Sequence, residues 1–358
     1  MCRWWLCLVG LILVGCPAEQ VTPAAATAKW QVVFQDGAVL KGAILSVWGT
    51  ASDDVWLVGA KDPAVKTNRP TALRLTGKSW SKIDVAAPGA DLWWVAGLPA
   101  GDVWMAGTQG TIARWHRATG KVEVQATPDK RPLFGILPVS QTEIWAVGGD
   151  VNCKGPACGA IWRSDGQSWT VANVPAELLD KSSQWFKIWK HKGNIFVVGS
   201  WQDDSKSGAI LKYDGTTWSS VSSDNNRTLF TIHGDSTRTD LPNCFAVGGS
   251  NTGDITEMQA DGSWKRYAEA SKLPMLNGIR VPAKGNPVAV GSGGAVYERK
   301  TGKWVARTDL PDVFDDFHSV WIDPDGAIWA VGGQIIGIPQ TSGLVARFGV
   351  GTIATTIP

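Results

Sequence analysis

The chain has 358 residues, a formal net charge of +2, 44% hydrophobic residues and 21 tryptophans. No lysine–arginine block or basic stripe stands out, which argues against nucleic acid or another polyanion as the main partner. The length exceeds the usual single-domain ceiling, but internal repeats take up almost all of it and leave no room for a second domain.

The amino terminus reads as an address. Met1-Cys2-Arg3 is a short basic start and Trp4 to Val14 is an unbroken apolar stretch. These are the n-region and h-region of an export signal, too short for a spanning helix. The stretch ends in Leu13-Val14-Gly15-Cys16, which resembles the lipobox of bacterial lipoproteins. The resemblance implies diacylglycerol on the Cys16 thiol, removal of residues 1–15 and acylation of the new amino terminus. An ordinary signal peptide with an incidental Cys16 is the alternative. Each buried lipid methylene contributes about 0.8 kcal/mol, and two or more chains anchor stably. A lipidated Cys16 would therefore be the protein's one contact with the membrane. Residues 16–28 form a tether without core-forming side chains, roughly 40 Å long when extended, and residues 29–358 form the folded domain. Pro17 stands where an aspartate would mark inner-membrane retention in well-studied envelope bacteria, so the resemblance implies the outer membrane.

From Val55 onward a short apolar run closes on glycine seven times. The runs are Val55-Trp56-Leu57-Val58-Gly59, Val103 to Gly107, Ile144 to Gly148, Ile195 to Gly199, Cys244 to Gly248, Pro287 to Gly291 and Ile328 to Gly332. Successive closing glycines are 48, 41, 51, 49, 43 and 41 residues apart. A period in the forties built from β-prone runs predicts an all-β, seven-bladed β-propeller of four-stranded antiparallel blades. Each run is the second strand of a blade. Inner strands are predicted at Ile44 to Thr50, Leu92 to Gly97, Leu133 to Leu137, Trp185 to Trp189, Leu229 to His233, Leu276 to Arg280 and Phe317 to Ile322. Outer strands open with Trp80, Trp169, Trp218, Trp264 and Trp304, and blade two has Val122 instead. Tryptophans at repeat-equivalent places are expected to fill the gaps between blades. Trp30 precedes the first inner strand at the same spacing, which predicts that the amino-terminal strand closes the ring as the outer strand of blade seven. Thr352 to Ile357 is the rival for that place.

Departures from the repeat mark candidate sites. Loops between second and third strands are long in blades one (Ala60 to Thr71), three (Asp150 to Cys158), four (Ser200 to Ser207) and seven (Gln334 to Ser342). Long loops on a rigid scaffold are where binding usually sits. Trp201 is outside the repeat and is followed by Gln202, Asp203 and Asp204, a mixture suited to a sugar ring or a protein surface. His233, Arg280 and His318 interrupt an otherwise apolar set of inner strands and are candidates to reach the central channel, with satisfied structural hydrogen bonds as the alternative. In an exported protein Cys153 and Cys158 most simply form a disulfide, a metal or redox pair being the other reading. Cys244 is expected to be a small buried hydrophobe.

Three further segments carry a family resemblance. Ser164-Asp165-Gly166-Gln167-Ser168-Trp169, Tyr213-Asp214-Gly215-Thr216-Thr217-Trp218 and Ala260-Asp261-Gly262-Ser263-Trp264 resemble the Asp-box turn of bacterial propellers. Gly148-Gly149, Gly248-Gly249 and Gly332-Gly333, each followed by a later tryptophan, resemble kelch repeats. Such propellers include sialidases, oxidases, assembly factors and interaction modules, so the implication is architecture alone. The chemistry of an enzyme is not evident. The four histidines have no ligand-like spacing, and the three tyrosines fall on third or outer strands, poor places for a channel-mouth nucleophile. No phosphate loop appears, and no cofactor or metal is expected. The reading is a monomeric, envelope-anchored, non-enzymatic scaffold that binds a protein or glycan of the envelope. The alternative is an envelope carbohydrate-active enzyme, a hydrolase or lyase, which would need carboxylates converging at the channel mouth.

Overall fold

Short apolar runs separated by turn residues pair into seven antiparallel sheets of four strands each, the architecture the repeat predicts. The computed structural model describes residues 27–35, 39–62, 68–150, 152–153, 158–179, 184–201, 207–221 and 227–357. Cys16, Gln202, Asp203 and Asp204 lie outside the described residues. Inner strands run over Ile44–Ala51, Leu92–Gly97, Leu133–Ser140, Gln184–His191, Leu229–Gly234, Leu276–Arg280 and Asp316–Ile322.

The ring closes through its amino-terminal strand. Lys29–Phe34 pairs antiparallel with Thr341–Gly349, placing Trp30 opposite Phe348 and Val32 opposite Ala346. It is thus the outermost strand of blade seven, whose other three strands come from the carboxyl end. The carboxy-terminal tail does not join the sheet. Instead the Ile353 amide donates to Gln31 Oε1 at 2.8 Å and Gln31 Nε2 donates to the Ile353 carbonyl at 2.7 Å. Trp80 Nε1 donates to the Ala354 carbonyl, so the tail laces blade seven to blade one.

The repeated run explains itself at the blade interfaces. Trp56, Trp104, Trp145, Phe196, Phe245 and Trp329 occupy its second position, and each meets an aromatic of the next blade. Trp104 packs edge-on against Trp169, Trp145 against Trp218 and Trp329 against Trp80. Phe196 meets Trp264 and Phe245 meets Trp304 in the same way. In blade two, where Val122 replaces the outer tryptophan, Trp115 of the third strand receives Trp56 at 4.9 Å. Edge-on aromatic pairs add about 0.5–1.5 kcal/mol beyond their area burial. Arg74, Arg114, Arg163 and Arg347 stand cross-strand from Trp56, Trp104, Trp145 and Trp329 and lie over those rings. These arginines cap the wedges, which gives them a structural role.

The hairpin aspartates are structural as well. Asp165 and Asp214 each accept two backbone N–H bonds from the residues that follow, and those donors hold both carboxyls below their usual range. Cys153 and Cys158 are joined in a disulfide with a Cα separation of 5.6 Å. Cys244 is fully buried, and burial raises its thiol pKa.

Candidate functional site

Every inner strand is distorted at the same step. One residue of each inner strand faces the closing glycine of the second strand, for example Trp185 with Gly199 and Leu229 with Gly248. Pairing then skips one residue before it resumes, in all seven blades. The skipped residues are Leu45, Trp93, Phe134, Phe186, Phe230, Asn277 and His318. A bulge of this kind bends the strand and re-aims a side chain. The closing glycine makes room for it. A Cβ at Gly199 would lie 1.8 Å from the Gln184 carbonyl oxygen, and one added at any of the other six glycines would lie within 2.1 Å of the equivalent carbonyl oxygen. The recurring glycine is therefore needed for close backbone approach, and none of the seven has a left-handed φ.

Six of the seven bulged residues face one cavity of about 450 Å³ at the mouth of the central channel. Leu45, the seventh, is fully buried. Trp93, Phe134, Phe186 and Phe230 form a continuous arc, with neighbouring ring centroids 5.3–5.4 Å apart. His318 adjoins Trp93 at 5.5 Å. Thr108, Pro132, Ile338 and Gln340 complete the wall. Because those four come from inter-blade connections and second-to-third-strand loops, the funnel opens on the loop-rich face. Exposed Phe314, Ile336 and Ile338 lie on connections of that same face and are 83%, 75% and 93% accessible.

Below the arc the channel narrows onto Lys187. It follows the bulged Phe186 on blade four, is 4% exposed, and borders both the funnel and a smaller cavity of about 130 Å³ beyond it. Its Nζ lies 4.3 Å from the centroid of Trp94. Burial lowers its pKa to about 7. The smaller cavity is lined by Trp48, Trp94, Trp189, His233 and Arg280 among others.

The three predicted channel residues reach the channel at different levels. His318 lines the funnel and its Nδ1–H donates to the Leu45 carbonyl; burial, then Lys187, lower its pKa to about 3. His233 lines the far cavity, accepts the Val281 N–H at Nδ1 over 3.1 Å and packs at a tilt against Trp189, ring centroids 4.0 Å apart. Burial, with Arg280 adding to it, keeps that imidazole neutral. Arg280 stands beside it, its pKa lowered to about 10 by burial. Trp201 is placed differently from the surface position expected of it. It is half-buried and meets Trp185 edge-on at 5.7 Å, at the margin of the core between blades three and four. Its neighbours Asp203 and Asp204 lie outside the described residues.

Sequence reasoning missed the arc and Lys187. The signal was present: an aromatic follows the first apolar residue of four inner strands, and Lys187 interrupts Trp185-Phe186-Lys187-Ile188-Trp189. Among the described residues that line the two cavities, Asp91 is the one carboxylate. Its oxygens are engaged by the Lys61 amide at 2.9 Å and ammonium at 3.1 Å. Among the described residues no group of three or more His, Cys, Asp or Glu is placed to hold a metal ion.

No protein-family model matches the chain, and no curated protein matches it either. Solved structures do. One titled YCF48 bound to D1 peptide superposes with a TM-score of 0.62 at 13% identity, covering 92% of this chain and 100% of that one. YCF48 from Cyanidioschyzon merolae gives 0.62 at 10% identity, over 90% and 99% of the two chains. The WD40 repeats of RRP9 give 0.61 at 9% identity, over 91% and 99%. At these identities the likeness is one of fold.

Proposed function

We propose that this propeller is a non-catalytic binding module that takes an apolar segment of a protein partner into the aromatic funnel. The observation that carries the reading is the arc of Trp93, Phe134, Phe186 and Phe230, four adjoining rings donated by four successive blades. A concave, mostly apolar site with few polar groups is what ligand recognition uses, and aromatic anchors in a pocket carry most interface energy. Exposed Phe314, Ile336 and Ile338 extend the apolar surface outward. A structure of similar fold was solved with a peptide bound, which supports a peptide occupant. The walls offer little for a glycan's hydroxyls, and the lone, engaged Asp91 does not supply a carboxylate pair for glycoside chemistry.

A peptide array probed with the full chain tests the reading. The protein should select apolar and aromatic sequences, and the Phe186→Ala/Phe230→Ala double variant should lose at least about tenfold in affinity, or 1.4 kcal/mol. Both rings are half-buried, so the variant should remain folded. Selection of polar sequences, or full binding by the double variant, would move the site elsewhere.

The module is proposed to work as a monomer on the outer membrane of a bacterial envelope, held by lipid on Cys16. The Leu13-Val14-Gly15-Cys16 segment supports this. Cys16→Ser should abolish labelling by a fatty-acid analogue and shift the exported protein into the aqueous phase on detergent partitioning. Persistent detergent-phase recovery would refute the anchor.

A further inference from the structure

The aromatic funnel ends on a positive charge that the fold leaves unbalanced. Lys187 is on an inner strand in the middle of the ring and 4% exposed. Among the described residues it has no ion pair or hydrogen bond, and its ammonium meets only the face of Trp94. Burying a charge is costly unless an opposite charge or hydrogen bonds compensate, and one cation–π contact compensates in part. The other titratable groups facing this space do not balance it. His318 from blade seven is neutral, His233 and Arg280 lie in the far cavity, and Asp91 is committed to Lys61.

We infer that the funnel is a seat for a single carboxylate carried on an apolar body, with the Lys187 ammonium as its counter-ion and the aromatic arc around the body. One lysine balances one negative charge. A phosphate dianion would leave a second charge facing Phe134, Phe186 and Phe230, where among the described lining residues no further cation stands. The shared chemistry can come from the carboxy terminus of a peptide with an apolar last residue or from a free aromatic or aliphatic acid. The peptide source rests on the funnel being the partner site proposed above.

Protonation gives this seat a signature that a merely structural lysine lacks. The amine's pKa is lowered to about 7 by burial, so near pH 8 the empty site is mostly neutral. A carboxylate beside it favours the ammonium form, and binding must then draw a proton from solution.

Isothermal titration of the full chain in detergent tests the inference with two acid–amide pairs: acetyl-Ala-Ala-Phe as free acid and amide, and 4-phenylbutyrate with 4-phenylbutyramide. At pH 6 each acid should bind at least about tenfold more tightly than its amide. At pH 8, across buffers of different ionisation enthalpy, the acids should take up close to one proton per site and the amides none. Lys187→Met should erase the acid preference while keeping amide binding, with a Tm no lower than the parent's because an unpaired buried charge is gone. Phenylbutyrate binding without peptide binding keeps the seat and overturns the peptide partner. Equal affinity for acid and amide with no proton uptake overturns the Lys187 seat and leaves the funnel reading standing; failure of all four probes to bind overturns both.

Discussion

Deletion of residues 29–35 is expected to leave the domain unable to fold stably at 37 °C, whereas deletion of residues 17–28 should leave the Tm unchanged. The first deletion removes the outer strand of blade seven and with it the closure of the ring. Val33 and Phe34 are 3% and 2% exposed, Phe34 packs on Trp80 at 5.5 Å, and Trp30 packs on Phe348 at 5.6 Å. Full burial of a Val or Phe side chain is worth about 1.5–3 kcal/mol, and truncating a core aromatic costs about 3–5 kcal/mol. The sum approaches the whole of a typical domain's stability, about 5–15 kcal/mol. Loss of the strand also bares the Thr341–Gly349 edge, a template for aggregation. Deleting residues 352–358 is the informative comparison. It removes the two Gln31 bonds to Ile353, orphans Trp80 Nε1 and strips partial packing by Ile353, Ala354 and Ile357. Each lost hydrogen bond costs about 1 kcal/mol, so this truncation should still fold, with a lower Tm. Thermal melts of the three truncations decide the matter. Equal melting for the 29–35 and 352–358 deletions would show that the tail contributes as much to closure as the strand.

The architecture was legible because the physical unit of the fold is repeated in the sequence seven times. An aromatic recurring at one place in a β-prone run is what an interface between identical blades requires, and Trp104, Trp145 and Trp329 fill that role. Closure by Trp30's strand followed from the same spacing. The channel was harder, because a strand read with period two puts only alternate residues on one side. The bulge breaks that period, so adjacent Phe186 and Lys187 both face the channel. His233, Arg280 and His318 were visible as polar interruptions and do line it. Phenylalanines at bulged positions resemble ordinary core residues in sequence, and only their clustering in space separates them from it. Trp201 illustrates the converse: it departs from the repeat, yet it folds back onto Trp185.

Gly199→Ala should destabilise the protein by about 3 kcal/mol or more and weaken the funnel at the same time. The added Cβ would stand 1.8 Å from the Gln184 carbonyl oxygen and 3.0 Å from the Trp185 Cα. Both obstacles are backbone, so no rotamer change relieves the overlap, and the inner strand of blade four must move. Overpacking a tight core typically costs about 1–3 kcal/mol, and occasionally more; an overlap with main chain belongs at the upper end. The displaced strand carries Phe186 and Lys187 directly after Trp185, at the bulge that the close approach permits. Apolar-peptide affinity should therefore fall even where the variant is still folded. Gly120→Ala is the control. Gly120 has a φ of +68° in a turn with nothing within 4 Å of an added Cβ, so the change costs only left-handed strain, about 1–2 kcal/mol, and leaves the funnel untouched. Urea denaturation of both variants, with peptide titration at a concentration where each is folded, separates the two causes. If Gly199→Ala costs no more than Gly120→Ala and binds peptide normally, close approach is not what the repeated glycine provides, and the link from the motif to the channel-facing bulge is broken.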